Sequence, residues 1–279
     1  MGALLALASA VCYGLSDFAG GLLSRRAGFV AVALAGQLGG LVLALAAAPA
    51  FPVTAVPVSD LGWGALSGVG TGLGMLFLFR GLSRGAMSMV VPVSAVSGVA
   101  LPAVVGVALL GDHPSALSWL GIAVAVPALW LVSRGEGAGG RRTGASAFDG
   151  LLAGTGIALQ YVALAQAAPR AGVWPVVTGR LAAALTILPL LVTAGAAARR
   201  AGGRQVLLAA GTGAMAATAL MFYLAATREE LLVVAVVLSS FYPAIPVLLG
   251  ITALRERLSA LQTAGLLGAA AAIGLLTLG

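Results

Sequence analysis

Apolar residues run through this chain in long blocks that lack the period-two alternation of a half-buried strand. Bounded by arginine, proline or acidic residues, the blocks fall near 3–22, 29–49, 61–80, 87–110, 115–133, 147–167, 172–195, 205–226, 231–253 and 259–278. A bilayer core about 30 Å thick needs about 20 apolar residues per helix, so each block is long enough to cross. Backbone polar groups must be satisfied inside lipid, and runs of this kind do so as α-helices rather than barrel strands. The pattern predicts an all-α polytopic membrane protein with ten transmembrane helices.

One segment has the chemistry of a linker: Ser133 to Ala147, rich in glycine and charge, between the fifth and sixth blocks. It predicts a first repeat at 1–133, a linker at 134–146 and a second repeat at 147–279. The halves align with an ungapped shift of 144 residues. Arg26-Ala27-Gly28 falls on Arg170-Ala171-Gly172, Arg84 on Arg228, Pro102 on Pro246, Gly106 on Gly250, Asp112 on Glu256 and Ser115-Ala116-Leu117 on Ser259-Ala260-Leu261. Alanine, leucine and glycine match easily by chance; arginine, proline and acidic positions in one register do not. Five blocks per half is an odd number, so the second half enters the membrane from the opposite side and the repeats are inverted. Two antiparallel copies of one unit can exchange conformations and open a central site to each side in turn.

Composition agrees with the pattern. Hydrophobic residues make up 61% of the 279 and charged residues only 8%, with a mean hydropathy of +1.09, against roughly 25% charged in a soluble domain. No separate soluble domain fits. All 15 basic residues are arginines, set against 8 acids. They stand in ones, twos and threes between apolar blocks, without the continuous basic face that nucleic acid requires. They read as topology determinants. The N-terminus has no basic region before its apolar run, which is too long for a signal-peptide core, and is expected to remain as a mature helix. The lone Cys12 lies in the first block, excludes an intrachain disulfide and reads as a small buried hydrophobe.

Several segments carry a family pattern. FYPAIPVLLGITALRERLSALQTAGLLGAAAAIGLLTL (241–278) joins a proline-bearing helix, an acidic residue with basic neighbours, and a polar residue leading into a glycine-marked last helix. LPAVVGVALLGDHPSALSWLGIAVAVPALWLVS (101–133) repeats that arrangement, and ALASAVCYGLSDFAGGLLSRRAG opens the chain. Together these resemble an EamA-type transporter of the drug/metabolite transporter superfamily over essentially the whole chain. The resemblance implies a ten-helix secondary carrier of small polar organic molecules in the plasma (inner) membrane, without choosing among amino acids, other metabolites, sugars or nucleotide sugars. It also implies that one chain holding both halves suffices as a monomer, with a dimer still open.

Taking the loops alternately, one face receives twelve arginines (25, 26, 80, 84, 134, 141, 142, 199, 200, 204, 255 and 257) and the other two, Arg170 and Arg228. The positive-inside rule places the first face in the cytoplasm and both termini outside. Members of the family usually keep both termini inside.

Ionisable groups within a span cost about 2.5 to 3.5 kcal/mol each on insertion scales, which makes Asp17 and Arg180 functional candidates. Asp17 lies eight residues before Arg25, roughly 12 Å from that face at 1.5 Å per residue. Arg180 lies about eight residues into a span starting from the other face, so the expected depths differ by only about 6 Å in a core of about 30 Å. Either they form a structural ion pair, or Asp17 binds a proton or an amine and Arg180 an anionic group. Tyr13 precedes Asp17 by one helical turn and shares its face with Ser9. The repeat register matches Asp17 to Tyr161, beside Gln160. Gln37, Thr178, Ser239, Ser240 and Tyr242 add polar groups, each either a substrate contact or interhelical glue. Trp63 and Trp174 read as interface anchors, while Phe222 and Tyr223 are candidate stacking walls.

Prolines within helices free a backbone carbonyl. Pro92 and Pro102 in the fourth block and Pro243 and Pro246 in the ninth point to bent gating helices beside a central site. Glycine steps such as Gly36/Gly40 and Gly64/Gly68/Gly72 signal close helix packing. Asp112 and Glu256, with His113 and Arg255/Arg257 beside them, read as interfacial anchors. No cluster has metal-ligand spacing, no cofactor is implied, and a single histidine leaves no hydrolytic constellation, so the chain is not read as an enzyme. The expected function is alternating-access transport of a small metabolite, by export, with proton coupling through Asp17. Sugar uptake and a non-transporting scaffold are the alternatives.

Overall fold

The computed structural model of the chain describes residues 1–51, 53–105, 115–133, 140–164, 166–229, 238–239 and 241–278, with backbone alone at 99, 102–105, 118, 129, 132–133, 140–143, 161, 169, 224, 227–228 and 276–277. These residues are helical, and no strand occurs among them. The helices are α1 (Gly2–Ser24), α2 (Phe29–Ala47), α3 (Val58–Arg84), α4 (Met87–Val105), α5 (Ala116–Ser133), α6 (Gly140–Leu164), α7 (Trp174–Thr193), the single turn α8 (Ala196–Arg199), α9 (Gly203–Glu229), α10 (Ala244–Thr252) and α11 (Ala260–Leu278).

Six stretches are long and apolar enough to cross a membrane: Gly2–Ser24, Phe29–Ala50, Val58–Arg84, Gly144–Leu164, Trp174–Thr193 and Gly203–Tyr223. Shorter apolar helical stretches lie at Met87–Gly98, Trp119–Ala128 and Ala260–Leu275. Within the ninth predicted span, 231–253, the described helical residues are 238–239 and the nine of α10. α6 is described from Gly140, seven residues before the predicted sixth block begins. Tertiary contacts support the extra turns: Ser146 packs against Gly85, and the buried Asp149 carboxylate accepts from Arg80 Nε at 2.9 Å.

Helix starts and stops follow local chemistry. Gly28 and Pro57, both extended, precede α2 and α3, and Asp60 and Arg84 sit at the ends of α3 that complement its dipole. At α11 the Ser259 Oγ accepts from the Gln262 N–H at 3.2 Å while the Gln262 Oε1 accepts from the Ser259 N–H at 3.0 Å, a reciprocal capping box.

The bundle interior is built of small residues and the exterior of large apolar ones, the reverse of a water-soluble domain. Gly and Ala dominate the contacts between helices, whereas Leu4, Val42, Val126, Val192, Leu207 and Leu267 are exposed. α3 packs against α6 and α7, α9 against α1 and α2, α4 against α6, and α5 against α11. At the α3–α7 crossing, a Cβ on Gly68 would fall on the Gly179 carbonyl. At the α2–α9 crossing, one on Gly39 would fall on the Ala210 carbonyl. Backbones in direct contact maximise van der Waals attraction where lipid offers no hydrophobic drive between helices. The largest apolar cluster joins Val30 and Val32 of α2, Leu78, Phe79 and Leu82 of α3, Met87, Val90 and Val91 of α4, and Ile187 of α7.

The prolines take different places in their helices. Pro92 is buried inside α4, and Pro102 lies in the same helix, its side chain outside the described residues. Pro243, however, is the N-cap of α10 and Pro246 its third residue. Residues 238–239 before the 241–243 turn are helical too, so this pair lies where helical backbone is interrupted and α10 begins. Pro127 in α5 and Pro189 in α7 are interior prolines as well.

Candidate functional site

Arg180 reaches the interior from α7 and is 5% exposed. Its Nη1 donates to Gln37 Oε1 of α2 at 3.0 Å, and both side chains are buried. Gly40, one turn beyond Gln37, leaves room for the arginine stem: a Cβ there would lie 3.3 Å from Nε and 3.4 Å from Cδ. The Tyr13 side chain of α1 lies beside Arg180 and Gln160 and within electrostatic reach of Asp17. The Tyr13 and Tyr242 rings are 5.9 Å apart and tilted by 51°. That contact exists because Gly14 lets α1 close on the start of α10, where a Cβ would come within 2.6 Å of the Tyr242 carbonyl and the Ile245 side chain. Tyr223, Val176 and Leu220 pack with Tyr13 as the apolar wall.

The predicted site residues therefore largely converge. Asp17, Tyr13, Gln37, Gln160, Arg180 and Tyr242 come from α1, α2, α6, α7 and the turn before α10, elements of both halves of the sequence. Tyr161 follows Gln160 in α6 with its side chain outside the described residues, and Ser240 lies outside them altogether. Of the two arrangements open to them, Asp17 and Arg180 do not form the ion pair among the described residues. Arg180 turns to the neutral Gln37, while Asp17, 4% exposed, stays near the tyrosines.

A cavity of about 20 Å³, room for a single water, lies against Arg180 and Gln160 and is lined by Ser67, Thr71, Leu164, Pro175, Val176, Gly179 and Leu220. Ser67 and Thr71 are site residues that the sequence reading passed over. Their signal was present as two hydroxyls one turn apart on the glycine face of α3. Other polar candidates act as glue: Thr178 Oγ1 donates to the Leu61 carbonyl at 3.2 Å, Ser239 Oγ to that of Ala6 at 3.4 Å, and Ser16 Oγ to that of Thr212 at 2.8 Å. A larger cavity of 280 Å³ between α4, α10 and α11 is lined by Pro92, Phe241, Pro243, Val247, Leu266 and Ile273. It is almost wholly apolar and offers little to orient a polar solute.

Two further carboxylates are buried, Asp60 in the first turn of α3 and Asp149 within α6 against Arg80 of α3. Glu256 does not keep company with Arg255 and Arg257 as expected of an anchor; its partners are Arg25 and the start of α4. Asp112 and His113 lie outside the described residues.

An all-helical bundle of membrane-crossing helices around a small buried polar site defines a multi-pass membrane protein. Residues 1–134, just under half of the chain, match the model of the EamA-like transporter family. That half is similar to this family of the drug/metabolite transporter superfamily, a family of membrane transporters. A comparison with curated proteins returns no match. A solved crystal structure of a protein 18% identical in sequence is similar over 99% of this chain and 96% of its own, with a TM-score of 0.59. At that identity the likeness speaks for the fold alone.

Proposed function

We infer that the chain is a secondary carrier of ten membrane-spanning segments in two inverted five-segment repeats, moving a small polar metabolite by alternating access around the site at Arg180. The helix pairings support the repeats. Under the 144-residue shift the α3–α6 contact becomes α9–α1, α3–α7 becomes α9–α2, and α4–α6 becomes α10–α1, while α2–α7, α4–α10 and α5–α11 map onto themselves. That is the pattern of an axis running between the halves.

The single observation that carries the transport site is Arg180 buried beside a cavity with a neutral partner. A guanidinium has five donors, and Gln37 accepts from only one of its nitrogens. An uncompensated cation at this depth is expensive. An anionic group entering the cavity would offset that cost, so Arg180 is assigned to a carboxylate or similar group of the substrate. Asp17 takes the opposite role, holding a proton or the substrate's ammonium. Export from the cell across the plasma membrane follows from the family resemblance rather than from any contact.

The test is thermal stability of the detergent-purified protein against a panel of amino acids, sugars, nucleosides and cationic drugs. A ligand of the folded state at a hundredfold excess over its Kd stabilises by about 2.7 kcal/mol. One chemical class is expected to shift the transition, with the shift lost in Arg180→Ala. If an active ligand shifts Arg180→Ala equally, the assignment of Arg180 is wrong. Saturable counterflow of that ligand in vesicles then separates a carrier from a scaffold.

A further inference from the structure

The alternation of the helices brings the ends of α1, α3 and α10 and the start of α4 to the arginine-rich face. Glu256, in the connection from α10 to α11, joins them. Its Oε1 accepts from the Met87 N–H at 2.9 Å and from Arg25 Nη2 at 3.2 Å, and its Oε2 from the Ser88 N–H at 2.9 Å. Met87 and Ser88 open α4, so the carboxylate of a distant segment caps that helix. Arg25 adds a second grip, Nε donating to the Leu82 carbonyl and Nη2 to that of Gly85, each at 3.0 Å, at the end of α3. Glu256 is also seated tightly: a Cβ at Gly250 would lie 2.9 Å from its Oε2. The opposite face has no comparable clamp among the described residues, whose three ion-pair contacts all lie at the arginine-rich end. In the sequence the 144-residue shift keeps an acid opposite Glu256, at Asp112, but sets Pro169 opposite Arg25, so the arginine of the clamp has no counterpart.

We propose that Glu256, clamped between Arg25 and the first two backbone N–H groups of α4, is the latch of the gate on the arginine-rich face, and that opening this face requires its release. The proposal rests on the alternating-access reading. With the arginine-rich face latched by charge, the protein without substrate rests closed at that side. Glu256→Gln sets an amide N–H₂ against one of the two backbone donors, and Arg25→Ala removes the cation while leaving the cap. Both variants weaken the latch, and neither touches the central site.

The experiment reads accessibility and needs no substrate. In a Cys12→Ala background, Ser67→Cys places a reporter thiol on the central cavity. A small membrane-impermeant methanethiosulfonate reagent is applied to sealed vesicles with either face outward. The reporter is expected to react mainly from the arginine-poor face, and Glu256→Gln and Arg25→Ala each to raise its reaction from the arginine-rich face about tenfold. A one-sided reporter whose rates are unchanged in both variants overturns the latch and leaves alternating access standing. A reporter equally reactive from both faces, or from neither, in parent and variants alike overturns alternating access itself. Far-ultraviolet dichroism and elution as a single species establish that each variant is folded, and either variant alone decides the outcome.

Discussion

At the scale of single residues, the site depends on how Arg180 is held. Gln37 accepts its hydrogen bond at 3.0 Å, so Gln37→Leu leaves a buried cationic donor unmatched, a loss of about 1–3 kcal/mol. A lower melting temperature than the parent's is expected, with binding of any ligand found by the stability panel weakened about tenfold; unchanged values for both would mean that Gln37 does not position Arg180. Asp17→Asn keeps the shape and removes the charge. Transport that keeps its full pH dependence in this variant would exclude Asp17 as the proton site. Much of this cluster was legible in the sequence, because a charge or amide in an apolar block stands out wherever it lies. Its pairing was not. Depth along two helices brought Asp17 and Arg180 to one level, but rotation about each helix axis decides who meets whom, and that is set by contacts such as Gly40 against the arginine stem. Glu256 illustrates the same limit: its sequence neighbours Arg255 and Arg257 were visible, whereas its partner Arg25 is 231 residues away.

At the scale of helices, position was legible and ends were less so. Hydropathy located α1, α2, α3, α5, α7, α9 and α11 to within a few residues, since the demand for satisfied backbone in lipid leaves no other solution. It did not mark the described start of α6 at Gly140, where Ser146 meets Gly85, or that of α10 after Pro243. The glycine crossings give the sharpest test at this scale. Gly68→Ala drives a methyl into the Gly179 carbonyl, whereas a Cβ on Gly62 meets nothing within 4 Å. Gly68→Ala is expected to cost about 1–3 kcal/mol, and Gly62→Ala to be neutral or stabilising by up to about 1 kcal/mol. Melting of the two variants in one detergent reads the difference directly; equal melting temperatures would show that the α3–α7 crossing yields to a methyl without cost.

At the scale of the molecule, the arginine distribution sets sidedness. Twelve arginines in the loops and helix ends of one face against two on the other predict, by the positive-inside rule, that both termini lie outside the cytoplasm. A protease site appended after Gly279 is therefore expected to be cut in intact cells, and protection in intact cells with cleavage only after lysis would reverse the orientation.

The crossing of partners between halves also bears on how the protein is made. α3 finds its closest neighbours in α6 and α7, and α1 and α2 find theirs in α9, so the early helices leave the ribosome before the surfaces that complete them exist. Until the second half is inserted, the glycine faces of α2 and α3 can meet only lipid or one another. Assembly is therefore a late, joint event rather than the stacking of two finished units. Residues 1–133 and 147–279 supplied as separate chains are expected to find each other in the membrane, while either alone remains open to degradation.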